Sequence, residues 1–582
     1  MASLLTNKLQ EYNYPLLLLC FILMHINISY FIPNFLNASF FSICFVIVLF
    51  LVELYTYVIT TRLQSVKLHL LDLVVLLFYG YIFVNNLFSN TDIFSEAFFE
   101  FSAVFCVYFI VRQSKISYSE IFSYLQFTAV SILFIESIYC FLQSNNMIPN
   151  LNSNYTIGGS YGHPAFTAIS ISILTPYIIQ PLKKYTFRII CVKILIPLIL
   201  IMFLIYNLKS RAALISVILS LTVIVALTKI KITNKVKFGI SAFFIGLLVY
   251  LITFVKSDSS LGRIFIWKKC LAIIPENLFF GVGFGRFAFE YNKYQSLYFL
   301  ELSDRTKESF LADYSESAFN EFFQLGVEMG LLGIAFLLAL MICLFYFKDK
   351  NSLTKPFFNG VFWSFIPLFL GWSVLRYFPI GCFFFVGLAL LSKQIRTEFV
   401  FNLNFKNKLP IKFISFSTVI LAGLFIYNRA GYIAINWSIQ NDKKPNYALN
   451  LSSAFSELQY SDRYIYKYCD FLIEKNDYKR AAFVAENSNK WLNSPALYHY
   501  LYRIHFERKE YKKAIKDLDY LINISPSKIY PKYALAKLYY SSGNKSKADS
   551  LTKEILKIKP KIINADVILM KEELKTYLNK NN

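Results

Sequence analysis

The stretch Ser315–Phe347 reads SESAFNEFFQLGVEMGLLGIAFLLALMICLFYF. From residue 328 onward it is almost purely apolar. The run is about 20 residues long, which is what a helix needs to cross the hydrocarbon core of a bilayer. Polar groups crowd its mouth: Asn320, Glu321, Gln324 and then Glu328. On a helix Glu321, Gln324 and Glu328 fall at i, i+3 and i+7, along one face. A carboxylate facing lipid costs about 3 kcal/mol or more. That face is therefore expected against protein or a water-filled cavity. Gly326 and Gly330 form a small-xxx-small pair suited to close helix packing.

Similar apolar runs recur along the chain, near 14–32, 39–60, 68–86, 97–112, 121–142, 164–182, 187–207, 210–228, 236–255, 357–374, 377–392 and 411–428. With the first stretch they make about 13 crossings. The composition agrees: 582 residues, 56% hydrophobic, with 60 Phe and 41 Tyr, is a polytopic membrane composition and not that of a soluble domain. The first run lacks a small-residue cleavage site and reads as an anchor, not a removed signal peptide. Nine Cys occur without a CxxC pair and read as single buried thiols.

The net charge of +23 would suit nucleic acid binding. The distribution excludes it for the membrane part, because the basic residues sit in short clusters between apolar runs. Arg62 and Lys67, Arg112 and Lys115, Lys183 to Arg188, Lys229 to Lys237, Lys348 to Lys355, and Lys393 to Lys412 mark one side. The loops 33–38, 87–96 and 143–163 carry no Lys or Arg. The positive-inside rule puts the first set and the N-terminus in the cytoplasm, and an odd number of crossings puts the C-terminal region outside. Several basic residues break the trend at the outer boundary: Lys209, Arg211, Arg263, Lys268, Lys269, Arg286 and Arg376. They are either snorkelling side chains or an anion site.

Three further stretches fall on that outer side. NYTIGGSYGHPAF, 154–166, has glycines for tight turns, Pro164 at a helix start and His163 before it. NLKSRAALIS, 207–216, puts Arg211 at a helix N-terminus, where backbone dipole and guanidinium both favour an anion. LGRIFIWKKCLAIIPENLFFGVGFGRFAFEY, 261–291, places Arg263 and Trp267 four apart on one helix face. Its glycines at 281, 283 and 285 precede Arg286. No strand precedes that glycine pattern, so it is not a nucleotide loop.

Beyond residue 440 amphipathic helical patterns replace the apolar runs. Pro526 and Pro560 are 34 residues apart, as are Ala514 and Ala548. Ala481 and Pro495 sit near the same frame. This period resembles the tetratricopeptide repeat, with Tyr498 where that repeat has Trp. The resemblance implies a helical solenoid with a concave surface for protein contact or acceptor presentation.

SRAAL, GR…W…P…FGVGFGRF and AFNEFFQLGVEMGLLG, in this order, resemble the O-antigen ligase and polymerase superfamily, which includes bacterial O-oligosaccharyltransferases. The resemblance covers roughly residues 155–345. It implies an all-α polytopic bundle of GT-C type over 1–430, with an outer loop at 256–327, followed by a periplasmic repeat domain over 440–582. It implies a glycosyltransferase of the bacterial inner membrane. The donor would be a glycan on undecaprenyl diphosphate. The acceptor would be a hydroxyl of lipid A core or of an exported protein. The same motifs leave a polysaccharide polymerase open. A lipid-linked glycan transporter or a membrane scaffold is the reading of a different class. No nucleic acid and no cofactor are expected.

The donor's diphosphate departs with its charge and needs cations rather than a general acid. No DxD-like cluster marks a metal site, so arginines are expected on the leaving group; the resemblance implies inverting, metal-independent transfer. Arg211 and Arg263 match the family's basic positions best. Arg286, Trp267, Asn320, Gln324 and Glu328 are the expected substrate-binding residues. One departure stands out: the family's His-Asn pair reads Phe319-Asn320 here, so the family's base is missing. Glu321 lies about 200° around a regular helix from position 319. It and His163 are the candidate bases, and transfer without a strong base is the alternative.

Overall fold

The structure is a computed structural model that describes residues 2–26, 43–52, 66–89, 96–114, 116–152, 154–179, 194–227, 257–302, 307–346, 354–394, 401–403, 451–453, 455, 459, 462–558 and 565–580. The crossings expected at 236–255 and 411–428 lie outside the described residues, as do several of the basic loops. What is described is almost wholly helical, as expected of an all-α membrane protein. The described strands are β1 (Val66–Leu68) and β2 (Phe401–Leu403), a short antiparallel pair.

In chain order the main helices begin with α1 (Ala2–Met24), α2 (Leu70–Phe88), α3 (Glu96–Gln113) and α4 (Tyr118–Ser144). They continue with α5 (Pro164–Ser172), α6 (Ile196–Leu208) and α7 (Arg211–Leu227). Next come α8 (Ser257–Ile273), α9 (Phe287–Glu301), α10 (Glu321–Tyr346), α11 (Lys355–Gly371) and α12 (Phe378–Gln394). The C-terminal part holds α13 (Asp462–Glu474), α14 (Tyr478–Ser488), α15 (Pro495–Glu507), α16 (Tyr511–Ile524), α17 (Ile529–Ser541), α18 (Lys545–Lys557) and α19 (Ala565–Lys580). The chain forms two compact units: residues 1–255 with 319–433, and residues 256–318 with 434–582.

In the first unit α2, α4 and Glu321–Phe345 are long and apolar enough to cross a membrane, and shorter apolar helices accompany them. The sequence suggests one crossing at 164–182. The structure gives α5 and a separate turn, Thr175–Ile178, because Pro176 lacks the N–H that a continuous helix would use. α4 starts with a capping box: Ser117 accepts from the Glu120 N–H, and the Glu120 carboxylate accepts from the Ser117 N–H at 3.3 Å. Buried Asp72 ties α2 to α3 and α12, accepting from Tyr108 at 2.5 Å, Arg112 Nε at 3.2 Å and Ser392 at 2.6 Å. Arg112, one of the basic residues used to orient the chain, is thus also an internal brace.

α10 departs from expectation. Gly330 is non-helical, with φ 64° and ψ −160°, so it breaks the helix instead of packing it. A side chain there would be strained, and glycine is not. The Tyr81 hydroxyl on α2 donates to the Met329 carbonyl beside the break at 2.7 Å.

In the second unit the loop 256–318 packs with the C-terminal helices. Gln295 Nε2 donates to the Ile524 carbonyl at 2.6 Å, and Asn493 Nδ2 to the Phe289 carbonyl at 2.9 Å. Lys528 pairs with Asp313 at 3.0 Å. The helix pairs recur at the spacing seen in the sequence: α15 and α17 start 34 residues apart, as do α16 and α18. Ala514, Leu518, Leu521, Ala534, Leu535 and Leu538 form one core, against which Tyr498 packs. Pro526 follows the end of α16, as expected. Pro495 instead opens α15, where its missing N–H costs nothing and Ser494 caps the turn.

His505 links three of these helices. Its Nδ1 lies 2.6 Å from Asp517, and its Nε2 lies 3.2 Å from Glu486, which Lys513 also approaches at 3.4 Å. Burial alone would lower the imidazolium pKa. The two carboxylates, Asp517 first, outweigh it and hold the pKa above the ordinary value. Burial raises the Asp517 pKa as well. Both shifts mean the folded unit holds protons more tightly than the unfolded chain. The His505 share is therefore full below the ordinary histidine value, about 6.5, and fades as the pH rises through the raised one, while the Asp517 share is lost lower, as the pH rises above the ordinary carboxylate value of about 4. Hydrogen exchange across 478–524 in the full-length protein should show protection falling as the pH rises above about 6.5. His505→Gln should cost about 2 kcal/mol at the acid end and flatten that slope; an unchanged slope would exclude His505 as its source.

Candidate functional site

The mouth of α10 is built from its first turn and the 372–377 turn between α11 and α12. Phe319 takes a left-handed conformation, φ 49°, and Asn320 then caps the helix. Asn320 Oδ1 accepts from the Phe322 and Phe323 N–H groups at 2.9 and 3.2 Å, and its Nδ2 donates to the Leu370 carbonyl at 3.2 Å. Below it Glu321, Gln324 and Glu328 are buried, with exposures of 1%, 0% and 0%. Glu321 Oε2 accepts from the Leu375 N–H at 3.2 Å. Gln324 Nε2 donates to Glu328 Oε1 at 2.8 Å, and Ser373 Oγ donates to Gln324 at 3.2 Å. Arg376 Nη2 meets Glu328 Oε1 at 2.5 Å. The polar face of α10 thus finds its partners in the 370–376 backbone and side chains. The Glu328–Arg376 pair was not foreseen, because nothing local in the sequence joins those positions.

An aromatic cluster covers the same turn. Trp372 meets Phe319 at 5.2 Å, Phe166 at 5.2 Å and His163 at 6.2 Å between ring centroids. Tyr377 lies tilted against Phe166, with centroids 4.1 Å apart. His163 therefore lies one ring away from position 319, where the resemblance expects the family's histidine.

His163 is held by its own geometry. Its Nδ1 accepts from the Ala165 N–H at 3.2 Å and so caps α5. Burial pushes its pKa below the ordinary histidine value, which favours the neutral ring. With Nδ1 accepting, the proton of the neutral ring belongs on Nε2, which sits 3.3 Å from the Tyr155 hydroxyl. In this arrangement Nε2 is a donor and not a base.

The loop carrying His163 is pinned from α4. Gln143 Oε1 accepts from the Gly158 and Gly159 N–H groups, both at 2.8 Å. Glu136 accepts from the Ser160 N–H at 3.0 Å and from Ser160 Oγ at 2.5 Å, and His25 Nδ1 lies 2.6 Å from it. Gly159 is left-handed, φ 61°, and a Cβ there would sit 2.5 Å from Thr167 and 2.6 Å from Glu136. Glu136 and His25 escaped the sequence reading. The available signal was a lone carboxylate inside an apolar run, which marks a functional or bracing residue by default.

Arg211 opens α7, two residues after Lys209, which is left-handed with φ 52°. α7 is fixed to α11 by Ser216 Oγ donating to the Ser364 carbonyl at 2.6 Å. The remaining expected residues belong to the second unit. Arg263 lies one turn before Trp267 on α8, and Trp267 Nε1 donates to the Ala318 carbonyl at 2.9 Å. Gly281, Gly283 and Gly285 all have positive φ, which explains why this turn is glycine-rich. Arg286 follows them, pairs with Glu290 at 3.3 Å and lies over the Phe289 ring. Among the described residues no cluster of His, Cys, Asp or Glu could hold a metal ion.

Fold and site thus define a helical membrane protein with basic residues at helix starts and a buried acidic and aromatic mouth. Residues 165–338 match the family model described as O-antigen ligase, in keeping with the resemblance of the sequence motifs. The match contains Arg211, Arg263, Trp267, Arg286 and the polar face of α10, and it begins two residues after His163. No curated protein matches the chain at a significant level.

Replacing His163 by Asn keeps a capping side chain and removes the imidazole. Transfer by His163→Asn is expected within about tenfold of wild type, because a general base would contribute about 10² to 10⁴. A loss of that larger size in a single-turnover assay would make His163 the base.

Proposed function

We propose that this chain transfers a glycan from a polyprenyl diphosphate carrier to an acceptor hydroxyl on the exported side of a bacterial inner membrane. The observation that carries this reading is the O-antigen ligase match over the stretch that holds Arg211 and Arg263. The acceptor oxygen attacks the anomeric carbon and the bond from that carbon to the diphosphate oxygen breaks. The anomeric centre inverts, and the acceptor's proton leaves to water or a nearby base. The diphosphate departs as an anion. Arg211, at the start of a helix, offers it a fixed charge with paired donors; Arg263, which the resemblance also points to, is the second candidate for that role. His163 donates from Nε2 to the incoming glycan or acceptor and orients it. Glu321 is the remaining candidate for the acceptor's proton. The C-terminal helix pairs are read as a periplasmic repeat domain.

A glycan inventory with and without the gene tests this. Loss of the gene should leave full-length lipid-linked glycan unattached to lipopolysaccharide or exported protein. Short chains that are still attached would instead make the chain a polymerase. An unchanged inventory would leave the transporter or scaffold reading.

A further inference from the structure

The first helices of the successive pairs, α13, α15 and α17, carry an aromatic strip that the transfer chemistry does not use. On α15 the buried Leu497, Leu501 and Ile504 face the core. Positions 499 and 503 fall on the opposite face, and Tyr500 on the flank beside them, at helical spacing. There Tyr500 stacks with Tyr466 of α13, centroids 5.6 Å apart and planes 19° apart. His499 Nδ1 lies 3.0 Å from the Tyr530 hydroxyl of α17. All of these rings are partly or well exposed. Charges of both signs edge the strip: Asp470 and Arg503 are exposed, and Lys537 pairs with Glu573 at 2.9 Å.

We infer that this strip is a binding site for the glycan chain itself, a largely neutral polyhydroxylated polymer; the inference rests on the proposed transfer function. Flat rings offer apolar plates for the C–H faces of sugar rings, and the flanking donors and acceptors suit hydroxyls. The mixed charges along the strip match a neutral chain. A polyanion would prefer the second helices, where Lys512, Lys513 and Lys516 are exposed together. Neighbouring helices lie about 10 Å apart, so three first helices set out a strip of about 20 Å. That is longer than one sugar, so the site reads chain length.

The test uses the full-length protein in detergent. The probe is soluble glycan released by mild acid from the host's own lipid-linked pool and sized into short and long fractions. Wild type should bind the long fraction well and the short fraction weakly. Tyr500→Ala and Tyr530→Ala should each raise the Kd for the long fraction about tenfold and leave that for the short fraction unchanged. Tyr500→Phe, which keeps the ring, should retain most of the affinity, and Lys512→Ala/Lys516→Ala should retain all of it. The inference falls if wild type binds neither fraction, if both alanine variants bind like wild type, or if the lysine variant is the one that weakens. It also falls if the alanine variants raise KM for an acceptor peptide while glycan binding stays intact. Glycan binding without any transfer by wild type would uphold the strip and overturn the proposed function instead.

Discussion

Arg211→Ala should lower kcat/KM for glycan transfer by at least about 10²-fold, the usual cost of removing one preorganised donor from a developing anion. The loss should fall on kcat more than on KM, because in the proposed reaction the charge on the leaving diphosphate grows in the transition state. Arg211→Lys should recover only part, since a point charge lacks the paired donors of a guanidinium. Arg263→Ala should behave like Arg211→Ala. Arg286→Ala should cost less, because Arg286 already shares its charge with Glu290 at 3.3 Å and lies over a ring. A single-turnover assay with purified lipid-linked donor checks all four. Wild-type rates from both Arg211→Ala and Arg263→Ala would end the case for a glycosyltransferase.

The second large effect concerns the mouth of α10. Arg376→Leu should destabilise the first unit by about 3–5 kcal/mol, because it strands a carboxylate that is shut off from solvent. Glu328→Leu should cost a similar amount by leaving the guanidinium short of its 2.5 Å partner. The double variant should be much closer to wild type than the sum of the singles, since two apolar groups replace a matched pair. Unfolding in mixed micelles, read as a double-mutant cycle, measures the coupling. Additive losses would mean the pair contributes nothing beyond its separate packing.

The family's position 319 shows how far the sequence could be followed. It shows a Phe where a His was expected, and it singles out His163 as a candidate. It does not show that Trp372 brings the two within one ring of each other. Nor does it show that the helix cap fixes which imidazole nitrogen carries the proton. The polar stripe on α10 was legible as a stripe, but its partners were not. Gly330 was read as a packing residue because small residues at spacing four usually pack; at the observed break the Met329 carbonyl accepts instead from Tyr81 on a distant helix.

By itself the sequence determined the helical class, the membrane environment, the repeat spacing of the C-terminal helices and the ligase-like motifs. Each of these is written in local spacing: the bilayer acts as a uniform solvent that reads apolar length, and helix faces repeat every few residues. Tertiary structure alone decided that residues 256–318 pack with the C-terminal helices, that Glu328 pairs with Arg376 and that Glu136 holds the glycine loop. A buried polar group must find a partner, but which partner depends on where the helices converge, and no local pattern encodes that.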